Sequence, residues 1–200
     1  MATHDPKTLE GYLDQQMLIA MPGMADPNFE RSVTLLFQHS GEGAIGITIN
    51  RESGFTLGEI LAQLDLACED EAIRNTPVLE GGPVAAERGF VLHTPMEGFE
   101  SSLQVNPDIM VTTSRDVLAA IAAGQGPERF VMALGYAGWG DGQLESELRE
   151  NAWLSVPVDR AIVFDLPLEE RWQKAVSALG VDIRNLHDIG GHAGGNDAGL

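Results

Sequence analysis

The run Leu134–Glu147, LGYAGWGDGQLESE, constrains this chain more than any other segment. It follows the apolar stretch Phe130-Val131-Met132-Ala133 and leads into an acidic amphipathic stretch that ends near Trp153. A strand is therefore expected to hand over to a helix here, through glycines that let the backbone pass close to its neighbours. Ends of elements are where functional side chains concentrate. Two readings stand side by side. In one, Tyr136 and Trp139 plug the core while Gln143, Glu145 and Glu147 form a solvated helix face. In the other, the aromatics floor a pocket and Glu145 or Gln143 orients a polar ligand. No reaction has this residue set as its signature.

Alternating and β-branched runs predict strands near 17–21, 32–38, 44–50, 89–93, 109–113, 129–134 and 160–164, with a short one at Val78-Leu79 before the turn Gly81-Gly82-Pro83. Four helices are expected. Thr56 and Glu59 form a capping-box pattern ahead of Leu57, Ile60, Leu61 and Leu64, which share a face. Thr113 or Ser114 can cap a helix carrying Val117, Leu118 and Ile121 that stops at Gly124. Asp141 can cap a third, holding Leu144 and Leu148. Pro167 stands at the start of a fourth, whose stripe Leu168, Trp172, Ala175, Val176 and Leu179 ends at Gly180. Strands outnumber helices and do not alternate strictly with them, so the fold class is α+β. Residues 1–189 are expected to form a single domain, and the glycine-rich 190–200 a flexible tail without apolar residues to offset ordering entropy.

Composition narrows the function. The 200 residues carry 30 acids against 12 bases, for a formal net charge of −18, and the ten Arg and two Lys form no basic run. Such a field repels nucleic acid, whose affinity is built from cations neutralising phosphates, and anionic membranes equally. The lone Cys68 implies no disulfide, and Asp65, Glu69, Asp70 and Glu71 around it push a thiol away from nucleophilic reactivity. Met17–Met21 is too short for a signal-peptide core and is preceded by Glu10 and Asp14, so the expected compartment is the cytoplasm.

Several motifs fail on context. Gly41-Glu42-Gly43-Ala44-Ile45-Gly46 matches a dinucleotide fingerprint by letter, but a strand pattern follows it where a helix is required. It reads instead as the turn of a hairpin between 32–38 and 44–50. The five histidines lack metal-ligand spacing, so no metal or cofactor is expected. His39 and His93 each end an apparent strand, where a histidine can serve as acid or base or as a hydrogen-bonded structural group. The stiff loop Met21–Phe29, with two prolines beside Asp26 and Asn28, either covers a core edge or walls a pocket.

These segments together resemble the YqgE/AlgH family of bacterial proteins. The resemblance rests on LIAMP at Leu18–Pro22, DPNFERSV at Asp26–Val33, GAIGITIN at Gly43–Asn50, GGPV at Gly81–Val84, RGFVLHTP at Arg88–Pro95, TTSRDVL at Thr112–Leu118, the run Leu134–Glu147 and NAW at Asn151–Trp153. Arg51-Glu52 stands where a basic-proline pair is expected. The resemblance implies a single compact α+β domain of bent mixed or antiparallel sheets flanked by about four helices, with no DNA-reading helix-turn-helix. The AlgH name is attached to regulation of alginate production and members carry the label of transcriptional regulators, but no catalytic residue transfers with it.

The leading expectation is a cytoplasmic regulator acting through a protein partner or a small ligand. Its candidate surface holds Asp26, Asn28, Phe29, His93, Tyr136, Trp139, Gln143 and Glu145. An alternative is an enzyme using Glu145 or His93 as acid–base group, with a raised Glu145 pKa and with Tyr136 or Gln143 holding substrate; this requires Glu145 and His93 to share one concavity. A third, direct DNA binding, requires Arg31, Arg51, Arg88 and Arg115 to assemble into one patch.

Overall fold

Ten short strands, none longer than ten residues, pair into a sheet that bends too strongly to lie flat. In the computed structural model, which describes residues 13, 15–22, 24, 26–27 and 29–180, they are β1 (Gln16–Ala20), β2 (Val33–Ser40), β3 (Gly43–Thr48), β4 (Glu52–Thr56), β5 (Pro77–Glu80), β6 (Val84–His93), β7 (Ser102–Asn106), β8 (Ile109–Thr112), β9 (Phe130–Trp139) and β10 (Trp153–Pro157). The main path is β10-β1-β2-β3-β9-β6-β8-β7, antiparallel throughout, while β5 pairs in parallel with β9 and antiparallel with β4. Six helices accompany it: α1 (Leu57–Gln63), α2 (Glu71–Arg74), α3 (Arg115–Ala122), α4 (Gln143–Arg149), α5 (Arg160–Phe164) and α6 (Leu168–Ala178). The result is an α+β domain in which the sheet dominates.

The bend has an identifiable origin in the glycines. Leu79 and Phe90 both pair with Ala133, so β5 and β6 lie on opposite edges of β9. The chain crosses from one edge to the other at Gly81-Gly82, over the β9 backbone at Gly135-Tyr136. The Gly81 amide donates to Leu134 O at 2.7 Å, and a Cβ on Gly82 would lie 2.1 Å from the Tyr136 carbonyl carbon. Gly135 answers with φ +74°, its own Cβ position 2.4 Å from Gly82 O. No side chain fits in this crossing. Bulges at Leu36/Gln38, Val84/Gly89 and Gln104/Asn106 add further curl.

Each face of the curled sheet buries its own helices. On the inner face, Met17, Ile19, Leu35, Ile47, Leu92 and Ala133 meet Ile162 and Val163 of α5 and Trp172, Ala175 and Val176 of α6. On the outer face, α1 and α3 cover Val91 and Met132, while α4 covers Leu18, Leu36, Ala44 and Ala137. The capping box at Thr56 forms as the sequence predicts: Glu59 N donates to Thr56 Oγ1 and Thr56 N to Glu59 Oε2. The hairpin also forms, with Ser40 paired to Gly43 across Gly41-Glu42.

The expectations need four corrections. Residues 160–164, read as a strand, form helix α5: Asp159 accepts from Ala161 N and caps it, and so short an apolar run has no decisive period. Strands β4, β7 and β10 were missed, since their exposed or mixed residues do not alternate cleanly. The N-cap of α4 is Gly142 at φ +67°, not Asp141, and the Gly140 amide is satisfied instead by Gln143 Oε1. Among the described residues six helices, not about four, flank the sheet, the two additional ones being the short α2 and α5. The expected flexible tail, 190–200, lies outside the described residues.

Candidate functional site

The opening motif folds inward. Helix α4 lies across a row of strand residues in register, His39 on β2, Ala44 on β3 and Trp139 on β9. Two glutamates two residues apart pin it there. Glu147 Oε2 accepts from the indole N–H of Trp139 at 2.9 Å and of Trp153 at 2.8 Å, while its Oε1 accepts from Gln143 Nε2. Both indoles are buried, and their rings meet edge to face at 5.7 Å. Phe29 completes the cluster, stacked on Trp139 and edge-on to Trp153. Glu145 Oε1 pairs with His39 Nε2 at 2.7 Å. Because the Leu13 amide donates to His39 Nδ1, the ring proton sits on Nε2 and points at the carboxylate.

Thus Phe29, Trp139, Gln143 and Glu145 are brought to one end of the sheet, where each is engaged in holding elements together. Tyr136 is not with them. It leaves β9 on the opposite face from Trp139 and packs edge-on against Phe90 at 5.8 Å, yet both residues border one open hollow of about 440 Å³ beside Gly43, Ala44 and Val84, which neither Gln143 nor Glu145 lines. Asp26 is exposed on the loop before β2, and Asn28 lies outside the described residues.

His93 is farther away still. It pairs with Phe130 at the start of β9, nine residues from Trp139, roughly 30 Å of extended chain. Glu145 and His93 therefore do not share a concavity, and the paired acid–base reading fails on geometry. His93 is fully buried; its Nδ1–H donates to Thr94 O at 2.8 Å, and its Nε2 accepts from Thr112 Oγ1 at 2.7 Å. Ser102 Oγ in turn lies 2.7 Å from Thr112 Oγ1 and is the donor in this chain. Burial lowers the His93 pKa, against a smaller raising effect of the Thr94 carbonyl. For Glu145, burial pushes the carboxyl up, but its own amide, the His39 N–H and the charge of Arg149 together pull harder. The net value is below the ordinary glutamate range, the reverse of the expected shift for a general acid.

The four arginines of the DNA reading separate. Arg51 donates to Pro27 O and Glu30 O, close to Arg31, whose guanidinium lies 5.4 Å from the Trp172 ring centre. Arg88 sits over Phe90, on the inner-face side of β6, while Arg115 reaches the outer face and donates to Leu64 O at 2.7 Å. Among the described residues no three His, Cys, Asp or Glu side chains converge as a metal site, and no helix is long and apolar enough to cross a membrane.

A larger and less open concave site lies elsewhere, and none of the eight candidate residues lines it. A cleft of about 600 Å³ opens between α1 and α3, floored by Gly89 and Val91 of β6 and Met132 and Leu134 of β9. Ile60 and Leu64 form one wall and Leu118 the other, with Phe55 at the mouth, 46% exposed. Polar side chains stand mostly at the rim, at Gln63, Glu87 and Thr113–Arg115, while Thr112 is buried and bonded to His93. A mostly apolar hollow of this volume with few polar groups has the form of a small-molecule site. The only sequence signal for it is the apolar face of α1 facing that of α3, which betrays packing and not vacancy.

The fold and this cleft define a class: an α+β domain with a ligand-sized hollow and with its suspected catalytic side chains engaged in the scaffold. The chain belongs to the AlgH-like family, whose profile matches residues 17–184. A UPF0301 protein of Xanthomonas campestris pv. campestris is 52% identical over 181 residues, spanning 90% of this chain and 96% of the relative. One from Xanthomonas oryzae pv. oryzae is 51% identical over the same shares. The solution structure of the AlgH protein from Pseudomonas aeruginosa superposes with a TM-score of 0.75 at 47% identity, over 98% of this chain and 100% of that one. A crystal structure from Corynebacterium diphtheriae, at 16% identity and TM-score 0.70 over 93% and 94%, shares the fold.

Proposed function

We propose that this chain is a cytoplasmic bacterial regulator of AlgH type that acts by binding a small ligand in the α1–α3 cleft, without catalysing a reaction. The observation that carries the reading is the cleft itself, ligand-sized and apolar with a polar rim. The placement of Trp139, Gln143 and Glu145 in structural bonds supports it, because the side chains first suspected of chemistry are otherwise engaged. The AlgH resemblance, with its association with regulation, supports the biological role.

The test is a thermal-shift screen of nucleotides and metabolites against the wild type and a cleft-filling variant, Ala86→Trp, placed at an exposed lining position. A ligand at about 100 times its Kd adds about 2.7 kcal/mol of stability. The expected outcome is at least one ligand that stabilises the wild type and not the folded variant. Ligands that stabilise both proteins equally would place binding elsewhere and overturn this assignment.

A further inference from the structure

The rim of the cleft has one cation and one anion, and they stand at different ends. Arg115 follows Thr112, which pairs with Val91 on β6, and reaches Leu64 O just past the end of α1; Glu87 lies within the β6 bulge, beyond Gly89 from Val91. Between them the lining is apolar: Gly89, Val91, Met132, Leu134, Ile60 and Leu118. Among the described residues, Arg115 is matched to no carboxylate, although the chain has 30 acids; it spends one N–H on the Leu64 carbonyl. Its sequence neighbour Asp116 forms no ion pair with it; that carboxylate accepts from Ser114 Oγ and from the amides of Val117 and Glu100.

From this arrangement we infer that the cleft takes an amphiphilic monocarboxylate, its acid group on the free donors of Arg115 and its apolar body along Val91, Met132 and Leu118 beneath Phe55. The planar guanidinium fork suits a carboxylate better than a point anion. Glu87 at the far end repels a second acid, which restricts the ligand to one. Phe55 is among the large apolar side chains left exposed, and an apolar body in the cleft gives it a partner.

This inference rests on the cleft reading above, and its test separates the two. Octanoate, octanol and octylamine are titrated against the full chain carrying ¹³C-methyl methionine, with Met132 as the reporter on the cleft floor. Octanoate is expected to shift the Met132 methyl and to bind about tenfold or more tighter than octylamine, since a charge-assisted hydrogen bond is worth about 1.5–3 kcal/mol. Arg115→Gln removes that preference, lowering octanoate affinity several-fold more than octanol affinity, while Ala86→Trp and Leu118→Trp each abolish the Met132 shift. Equal binding of all three probes with a Met132 shift, or an octanoate preference that survives Arg115→Gln, overturns the carboxylate inference and leaves the cleft standing. Failure of octanoate to move Met132 also overturns it, and the metabolite screen then judges the cleft alone.

Discussion

Glu147 receives two indole N–H groups on one oxygen and a side-chain amide on the other. Removing it leaves the donors of Trp139 and Trp153, which are 5% and 1% exposed, without a partner. A buried unsatisfied donor costs about 1–3 kcal/mol, so Glu147→Ala is expected to lose about 2–5 kcal/mol in a urea melt followed by tryptophan fluorescence. Glu147→Gln keeps one acceptor and should lose less; equal losses would show that packing, not hydrogen bonding, sets the cost. His93 gives a different signature. Its folded pKa is below the ordinary 6.5, so the unfolded chain binds the proton more readily. Stability is then fully present above about pH 6.5 and is lost as pH falls toward the folded value. His93→Gln, which retains an acceptor for Thr112, should flatten the stability profile between pH 7 and 5. A profile as steep as the wild type's would assign the loss to other groups. Glu145 and Asp116, with lowered carboxyl pKa values, contribute losses only at more acid pH.

At the scale of elements, what the sequence reveals depends on whether the cause is local. The α1 capping box, the β2–β3 hairpin and the α6 stripe are legible because their signals lie within a few residues. The crossing of Gly81-Gly82 over Gly135-Tyr136 is not, although both glycine motifs are conspicuous, because nothing in either states that they meet. The same holds for Glu147, whose role needs Trp153 from the next strand, and for the cleft, assembled from segments between Phe55 and Leu134. The run Leu134–Glu147 is distinctive because so many of its residues touch other elements. The crossing gives a direct test. Gly82→Ala places a Cβ 2.1 Å from a backbone carbonyl carbon, where no flexible side chain can yield. Its cost is expected on the order of 3–5 kcal/mol, in the range reserved for disrupted architecture. Gly124→Ala, at φ +72° in open space, should cost only the left-handed strain of about 1–2 kcal/mol. Comparable denaturation midpoints for the two variants would refute the crossing as the origin of the bend.

For the molecule as a whole, electrostatics works against compactness. Twelve bases cannot pair thirty acids, and several arginines are spent on other work: Arg171, buried, on Ile49 O and Leu166 O, and Arg88 on the Phe90 ring. Burial without a paired carboxylate lowers the Arg171 pKa to about 10, still charged at neutral pH. The Arg129–Asp165 pair, at 3.9 Å with both partners about half exposed, contributes little to offset the repulsion. A net charge of −18 on a chain of 200 residues therefore destabilises the folded state through self-repulsion, more strongly where screening is weak. Raising ionic strength from about 0.01 M to 0.1 M shortens the Debye length from about 30 Å to 10 Å. The thermal midpoint is expected to rise across that range. The same field should keep duplex DNA from binding even at the low-salt end, where cation–phosphate attraction is strongest. Both quantities come from one titration series, read by thermal melt and by fluorescence anisotropy of a labelled duplex. A midpoint that falls with salt would mean that specific ion pairs outweigh the global repulsion. DNA binding that is tight at low salt and collapses as salt is added would mean that the scattered arginines form a local positive surface strong enough to overcome it.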